Sequence, residues 1–125
     1  ASFKEDVIFV ALGKDVKECQ SVLMWALHNS GGKKICILHV HQPAQKMPMM
    51  GTKVSINLVD PNQVKAYHDG ERQEMLTILG KYLLICAKSG VQADKLWNEN
   101  LSIEKGIVEL ILKNGIQWLV MGGAA

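Results

Sequence analysis

The sequence predicts an α/β domain, an open parallel sheet with helices on both faces. Three observations predict it. Short apolar runs rich in β-branched residues recur along the chain, as strands buried between layers do. Between them lie stretches with apolar residues at helical spacing. Most of those stretches open on a capping residue and close near glycine. The order reads β-α-β-α-β-α-β, which calls for right-handed crossovers between parallel strands.

Val7–Leu12 (V-I-F-V-A-L) is the first strand, ended by Gly13. Asp15 and Glu18 make a capping-box pattern: the aspartate accepts an early amide and the glutamate reaches back. Cys19, Val22, Leu23, Ala26 and Leu27 then share one helix face. Ser30-Gly31-Gly32 ends that helix. Ile35–Val40 (I-C-I-L-H-V) is the second strand.

His41–Val59 has no clear period and holds Pro43, Pro48, Met47, Met49 and Met50. A loop of this length is a flap or an insertion, and we read an insertion whose methionines tuck against the domain. Asp60-Pro61 opens the second helix, and Gln63 completes another capping box. Its apolar stripe is Val64, Tyr67, Met75, Leu76, Leu79, Leu83 and Cys86, with Gly70 as a weak or bent point. Lys88-Ser89-Gly90 ends it. Val91–Trp97 is the third strand, diluted by Asp94 and Lys95. Ser102 caps the third helix, whose face is Ile103, Ile107, Val108, Leu110 and Ile111, and Asn114-Gly115 closes it. Trp118–Ala125 (W-L-V-M-G-G-A-A) begins as a strand buried on both faces and runs into a glycine loop.

The chain has 125 residues, 48% of them hydrophobic, enough for one domain spanning 1–125 with a real core. The net charge is only +2 and the lysines are scattered, so no nucleic-acid partner is expected. No apolar run is long enough to cross a bilayer and the start carries no signal-peptide pattern, so no membrane partner is expected. Cys19, Cys36 and Cys86 are widely spaced without a C-x-x-C. That usage fits a reducing, cytoplasmic compartment.

Neither G-x-x-x-x-G-K-[ST] nor G-x-G-x-x-G occurs. Gly31-Gly32-Lys33-Lys34 ends a helix where a phosphate loop would open one, so it reads as a turn. His39 and His41 point the same way from one strand end, but two imidazoles fall short of a metal set. They read as a half-buried His39 and a loop His41, and no metal is expected. Cys36 beside His39 is mid-strand, where a thiol is an apolar filler more often than a nucleophile. A small enzyme using Cys36 or His39 is the weakest reading, and no catalytic residue is assigned. Asp6, Asp15 and Glu18 read as surface or capping carboxylates. What remains is a crevice. If the first and last strands are neighbours, the loops at Leu12-Gly13-Lys14 and Met121-Gly122-Gly123 flank a topological switch point that accepts a small ligand.

With these residues in view, the chain resembles the universal stress protein family over nearly its whole length. The resemblance rests on V-F-V-A-L at the first strand, V-L-M-W-A-L (Val22–Leu27), I-L-H-V (Ile37–Val40) and W-L-V-M-G (Trp118–Gly122). More narrowly, Ile35–Gln45, Lys81–Cys86 and Ile103–Ile111 resemble the amino-terminal domain of plant U-box proteins. The resemblance implies a fold like that of the adenine nucleotide alpha hydrolases and a cytoplasmic parent. In that parent a coiled coil, often a kinase-like domain, and a ubiquitin-ligase U-box follow.

One branch of the family binds ATP and another does not. The binding branch reads adenine with an acidic residue after the first strand; that position is Gly13 here. Val40 matches the second-strand backbone contact. Gly122 matches the first glycine of the G-x-x-G that holds ribose and phosphates, and Ala125 replaces the second. A Cβ there crowds a phosphate where glycine is needed for close approach. The candidate nucleotide crevice is therefore Ala11, Leu12, Gly13, Val40, Met121, Gly122 and Gly123. The family fold closes with one more helix and a fifth strand that often dimerises, so the chain reads as cut short at its C-terminus. The leading expectation is a non-catalytic stress-signalling interaction domain, with protein partners or self-association and no cofactor. A homodimer is expected where the final strand is present. The alternative is a switch that binds ATP or AMP.

Overall fold

A computed structural model of the chain describes residues 6–122. β1 (Val7–Ala11), α1 (Val16–His28), β2 (Lys34–His41), β3 (Lys46–Met49), β4 (Thr52–Ser55), α2 (Pro61–Lys88), β5 (Ala93–Glu99), α3 (Ile103–Asn114) and β6 (Leu119–Met121) follow in order. A 3-10 turn at Ile56–Leu58 precedes α2. Four strands form one sheet in the order β5-β2-β1-β6. Every pairing in it is parallel: β1 with β2, β1 with β6, and β2 with β5. The α/β class and the parallel sheet are as the sequence predicts.

The strand alternation divides the core in two. Val10, Ile35 and Ile37 face α1 and α2, and pack with Leu23, Ala26, Leu27, Met75, Leu79, Tyr82 and Cys86. Cys36, Leu38 and Val40 face the other way, onto Leu110 and Ile116. Burying a leucine of this kind is worth about 1.5–3 kcal/mol, so these two clusters set the register of β2. Helices therefore cover both faces, α1 and α2 on one and α3 on the other. α3 lies close because Gly106 faces β2: a Cβ there would sit 2.5 Å from Val40 Cγ1.

The N-cap residues are those the sequence names, although neither Glu18 nor Gln63 makes the reciprocal bond of a capping box among the described residues. Asp15 accepts from Glu18 N–H, Asp60 from Asn62 N–H and Ser102 from Lys105 N–H. Gly115 ends α3 in the left-handed region at φ 60, which glycine adopts without Cβ strain.

Five readings need correction. The stretch His41–Val59 is not an aperiodic loop, because it holds the antiparallel hairpin β3–β4. Its turn is Met50-Gly51, both at positive φ, the geometry that asparagine or glycine usually announces. Pro48 sits in β3, in a two-stranded sheet where every strand is an edge and the missing amide is tolerated. The third strand starts and ends two residues later than read, because an edge strand tolerates Asp94, Lys95 and Glu99. The buried face of α3 is Gly106 and Leu110, whereas Val108 is exposed. β6 is not buried on both faces: Met121 is 56% exposed, Leu119 and Val120 are half-buried, and β6 is a sheet edge among the described residues. The histidines are neither half-buried nor in a loop: His39 and His41 are both buried in β2, His41 as its last residue.

Candidate functional site

Past the carboxyl ends of β1, β2 and β6 lies a cleft of about 750 Å³. Its position follows from the chain order. From β1 the chain crosses to β2 and β5 on one side, then returns to β6 on the other. The crossovers thus diverge beside β1, and that divergence leaves a crevice. Ala11, Leu12, Gly13, Val40, Met121 and Gly122 all line it. Gly123 and Ala125, the remaining positions of the expected glycine loop, lie outside the described residues.

The first wall is the backbone after β1, and it is closed. Leu12 N–H donates to Leu38 O at 3.0 Å. Leu12 O accepts from His39 Nδ1 at 2.8 Å. Gly13 O accepts from the Tyr82 hydroxyl at 2.7 Å, and Gly13 N–H donates to Cys19 Sγ at 3.3 Å. All four main-chain polar groups of these two residues are engaged inside the protein. Burial, above all, pushes the Tyr82 hydroxyl above its ordinary range, so it stays a donor at neutral pH.

The second wall is the end of β2. A carbonyl can only accept, so the bond to Leu12 O puts the His39 proton on Nδ1 and leaves Nε2 an acceptor. Burial lowers the His39 pKa, the bond to Leu12 opposes it, and His41 and Lys14 lower it further. The ring is neutral at pH 7. His41, 8% exposed, also lines the cleft, and its Nε2 has no hydrogen-bond partner.

The rim comes from α1 and α2. Glu18, Glu71 and Glu74 bring three carboxylates against the single ammonium of Lys14. Glu71 Oε1 accepts from Ala44 N–H at 3.3 Å, and His68 Nε2 donates to Ala44 O at 3.0 Å. Arg72 reaches Glu99 at 2.7 Å and Asp69 at 2.9 Å, so α2 is pinned to both the β2–β3 connection and β5. Between rim and floor, Val22, Met75 and Ile78 supply apolar wall. The sequence reading missed Glu71 and Glu74 and left Tyr82 out of the stripe; Glu18, read as a surface or capping carboxylate, is exposed at the rim. Only its spacing from Ile78 and Cys86 on the helix face marked Tyr82.

Reactive chemistry finds no support in these groups. Burial, then Asp94, pushes the Cys36 thiol up to about 11; burial likewise raises Cys86. Thiols held in that range are poor nucleophiles at neutral pH. Among the described residues no group of three or more His, Cys, Asp or Glu is placed to hold a metal ion. No helix among them is long and apolar enough to cross a membrane.

No family model matches the chain. Individual relatives do. U-box domain-containing protein 33 of Arabidopsis thaliana is 49% identical over 121 residues, 97% of this chain and 14% of that protein. U-box domain-containing protein 36 of the same plant is 39% identical over 122 residues, 98% of this chain and 26% of that protein. U-box domain-containing protein 54 is 38% identical, over 97% of this chain and 38% of its own length. The chain thus spans well under half the length of each.

Two solved structures share the architecture. A universal stress protein family member from Burkholderia pseudomallei aligns at TM-score 0.67 with 18% identity, covering 98% of this chain and 84% of that one. A universal stress protein family protein from Arabidopsis thaliana with AMP bound aligns at 0.57 with 17% identity, covering 93% and 76%. The chain therefore has the universal stress protein fold, in a version shared with a segment of plant U-box domain-containing proteins.

Proposed function

We propose that the chain is a non-catalytic regulatory domain of a plant U-box protein, giving it a binding surface centred on the switch-point cleft. One observation carries this reading: the Leu12 and Gly13 backbone is fully hydrogen-bonded within the protein. A nucleotide acceptor at that loop finds no free N–H, and the expected carboxylate is replaced by Gly13. Three carboxylates to one ammonium at the rim also oppose phosphates. The parent would be a cytoplasmic ubiquitin ligase in stress signalling, with this domain docking a protein partner or a second copy.

Calorimetry with AMP and ATP tests the reading. It predicts no binding heat at millimolar nucleotide; micromolar binding would overturn it. The second reading, a switch that binds AMP or ATP, is favoured by the AMP held by a neighbour of the same fold. The cleft volume suits a small molecule. Gly13→Asp restores the missing carboxylate with room to spare, since a Cβ at 13 meets only Cys19 Sγ at 3.7 Å. On the second reading the wild type binds AMP and this variant binds it more tightly.

A further inference from the structure

The sheet has a second open edge, at β5, which contributes no residue to the cleft. β5 pairs with β2 alone, and no strand lies beyond it among the described residues. Ile35 N–H donates to Gln92 O and Asn100 N–H to His41 O, so the even-numbered main-chain groups on this side face β2. Successive residues of a strand face opposite neighbours. The N–H and C=O groups of Ala93, Lys95, Trp97 and Glu99 therefore face outward. One of them is covered, because Lys95 N–H donates to Asp94 Oδ1 at 2.8 Å. The side chains of these same residues share the α2 face of the sheet. Trp97 packs against the cluster under α1 and α2, and Glu99 is held by Arg72 Nε at 2.7 Å. Lys95 makes no ion pair among the described residues. The edge thus carries a cation, an indole and a carboxylate at every second residue, Lys95, Trp97 and Glu99. That order is its own complement when the strand is reversed. An antiparallel copy set about Trp97 brings Lys95 opposite Glu99 of the second copy, and Trp97 opposite Trp97. Opposite-charge and aromatic cross-strand pairs both stabilise a sheet.

We propose that β5 is a self-association edge, to which a second copy of this chain adds antiparallel about a two-fold axis at Trp97. The facing residues exchange both main-chain bonds, since all of them present outward groups. The charges set the register: a slip of two residues puts Lys95 or Glu99 against Trp97 and loses both charge pairs. They set the direction as well, because a parallel copy in register would put Lys95 against Lys95. Asp94 is the gate: its carboxylate must leave Lys95 N–H before that amide reaches Glu99 O of the second copy. The contact is isologous and closes on itself, and one strand pair makes a small interface and a weak dimer. It lies apart from the cleft and does not depend on what the cleft binds.

The test is sedimentation equilibrium of the chain from about 10 μM to about 1 mM, the range of a small interface. The wild type should show a monomer–dimer equilibrium. Lys95→Glu sets like charges opposite each other at both symmetric positions and should weaken the dimer about tenfold or more. Asp94→Ala, at an exposed position, frees Lys95 N–H and should tighten it. Lys95→Pro removes an outward N–H that β2 does not use and should abolish association. Lys81→Glu makes the same charge change on the exposed side of α2 and should keep the wild-type constant. Circular dichroism checks that each variant folds, and Lys95→Glu with Asp94→Ala decides the matter if the proline variant does not. A chain that stays monomeric at about 1 mM overturns the proposal and leaves the reading of the cleft untouched. A dimer that Lys95→Glu does not weaken overturns it too and moves the contact elsewhere, as to the β6 edge. So does equal weakening by Lys81→Glu, which would assign the association to net charge.

Discussion

The two walls of the cleft are built from adjacent parallel strands, yet they end in opposite states. Beyond β1 every polar group of Leu12 and Gly13 has a partner, supplied by β2, α1 and α2. At the end of β2 the His41 ring keeps a nitrogen with none. The difference teaches where a ligand can act. The amides of Leu12 and Gly13 are spent on protein acceptors, so a ligand at the β1 wall finds no free N–H, whereas Nε2 of the His39 ring at the β2 wall makes no bond among the described residues. In water such an exchange is close to neutral, but in a buried site it decides affinity.

The largest effect should come from crowding the β2 wall from behind. Gly106→Ala places a Cβ 2.5 Å from Val40 Cγ1 and 2.7 Å from Cγ2. Because Val40 is β-branched and stiff, the cost lies near the upper end of the about 1–3 kcal/mol of overpacking, less about 1 kcal/mol of helix propensity. The net result is destabilisation in urea, and Val40→Ala in the same chain should restore it. Without that rescue, the close approach of α3 to β2 is not what Gly106 provides.

Tyr82→Phe opens the β1 wall. It removes the donor to Gly13 O and should cost about 1–2 kcal/mol of unfolding free energy, the worth of a buried hydrogen bond. No loss would mean the β1 wall is not held by its internal bonds.

These two residues also mark how far the sequence could be read. The four strands of the parallel sheet and the caps Asp15, Asp60 and Ser102 were legible, because local periodicity and capping chemistry carry them; the neighbouring of β1 and β6 entered only as a condition, which the topology meets. Six of the seven crevice residues come together as read, and Gly123 lies outside the described residues. The hydrogen bond from Tyr82 to Gly13 spans 69 positions, and no local pattern encodes it. The hairpin was illegible for another reason: Met50 and Gly51 turn at positive φ without an Asn-Gly signal, and Pro48 argues against a strand. His41 looked like loop because proline follows it at 43, yet its pairing with Glu99 carries β2 one residue further.

A smaller effect separates the walls by pH. The His39 pKa is lowered from 6.5 by burial, so the unfolded chain takes up that proton at higher pH than the folded one. His39 therefore contributes stability above about pH 6.5 that is lost as the pH falls below it. Urea midpoints measured from pH 7.5 down to about 5 should decline, and His39→Gln should flatten the decline. An unchanged slope in that variant would move the effect elsewhere.

The smallest effect is Glu74→Gln. The side chain is exposed at the rim, and stability should move by no more than about 0.5 kcal/mol. A larger loss would make Glu74 a structural residue and not a solvated carboxylate of the rim.

The most direct test of the two-wall account is a nitrogen-15 NMR titration of the chain with AMP. The account predicts that AMP leaves the amides of Gly13, Val40 and Gly122 in place. Saturable AMP shifts at those amides would contradict it and return the cleft to the nucleotide.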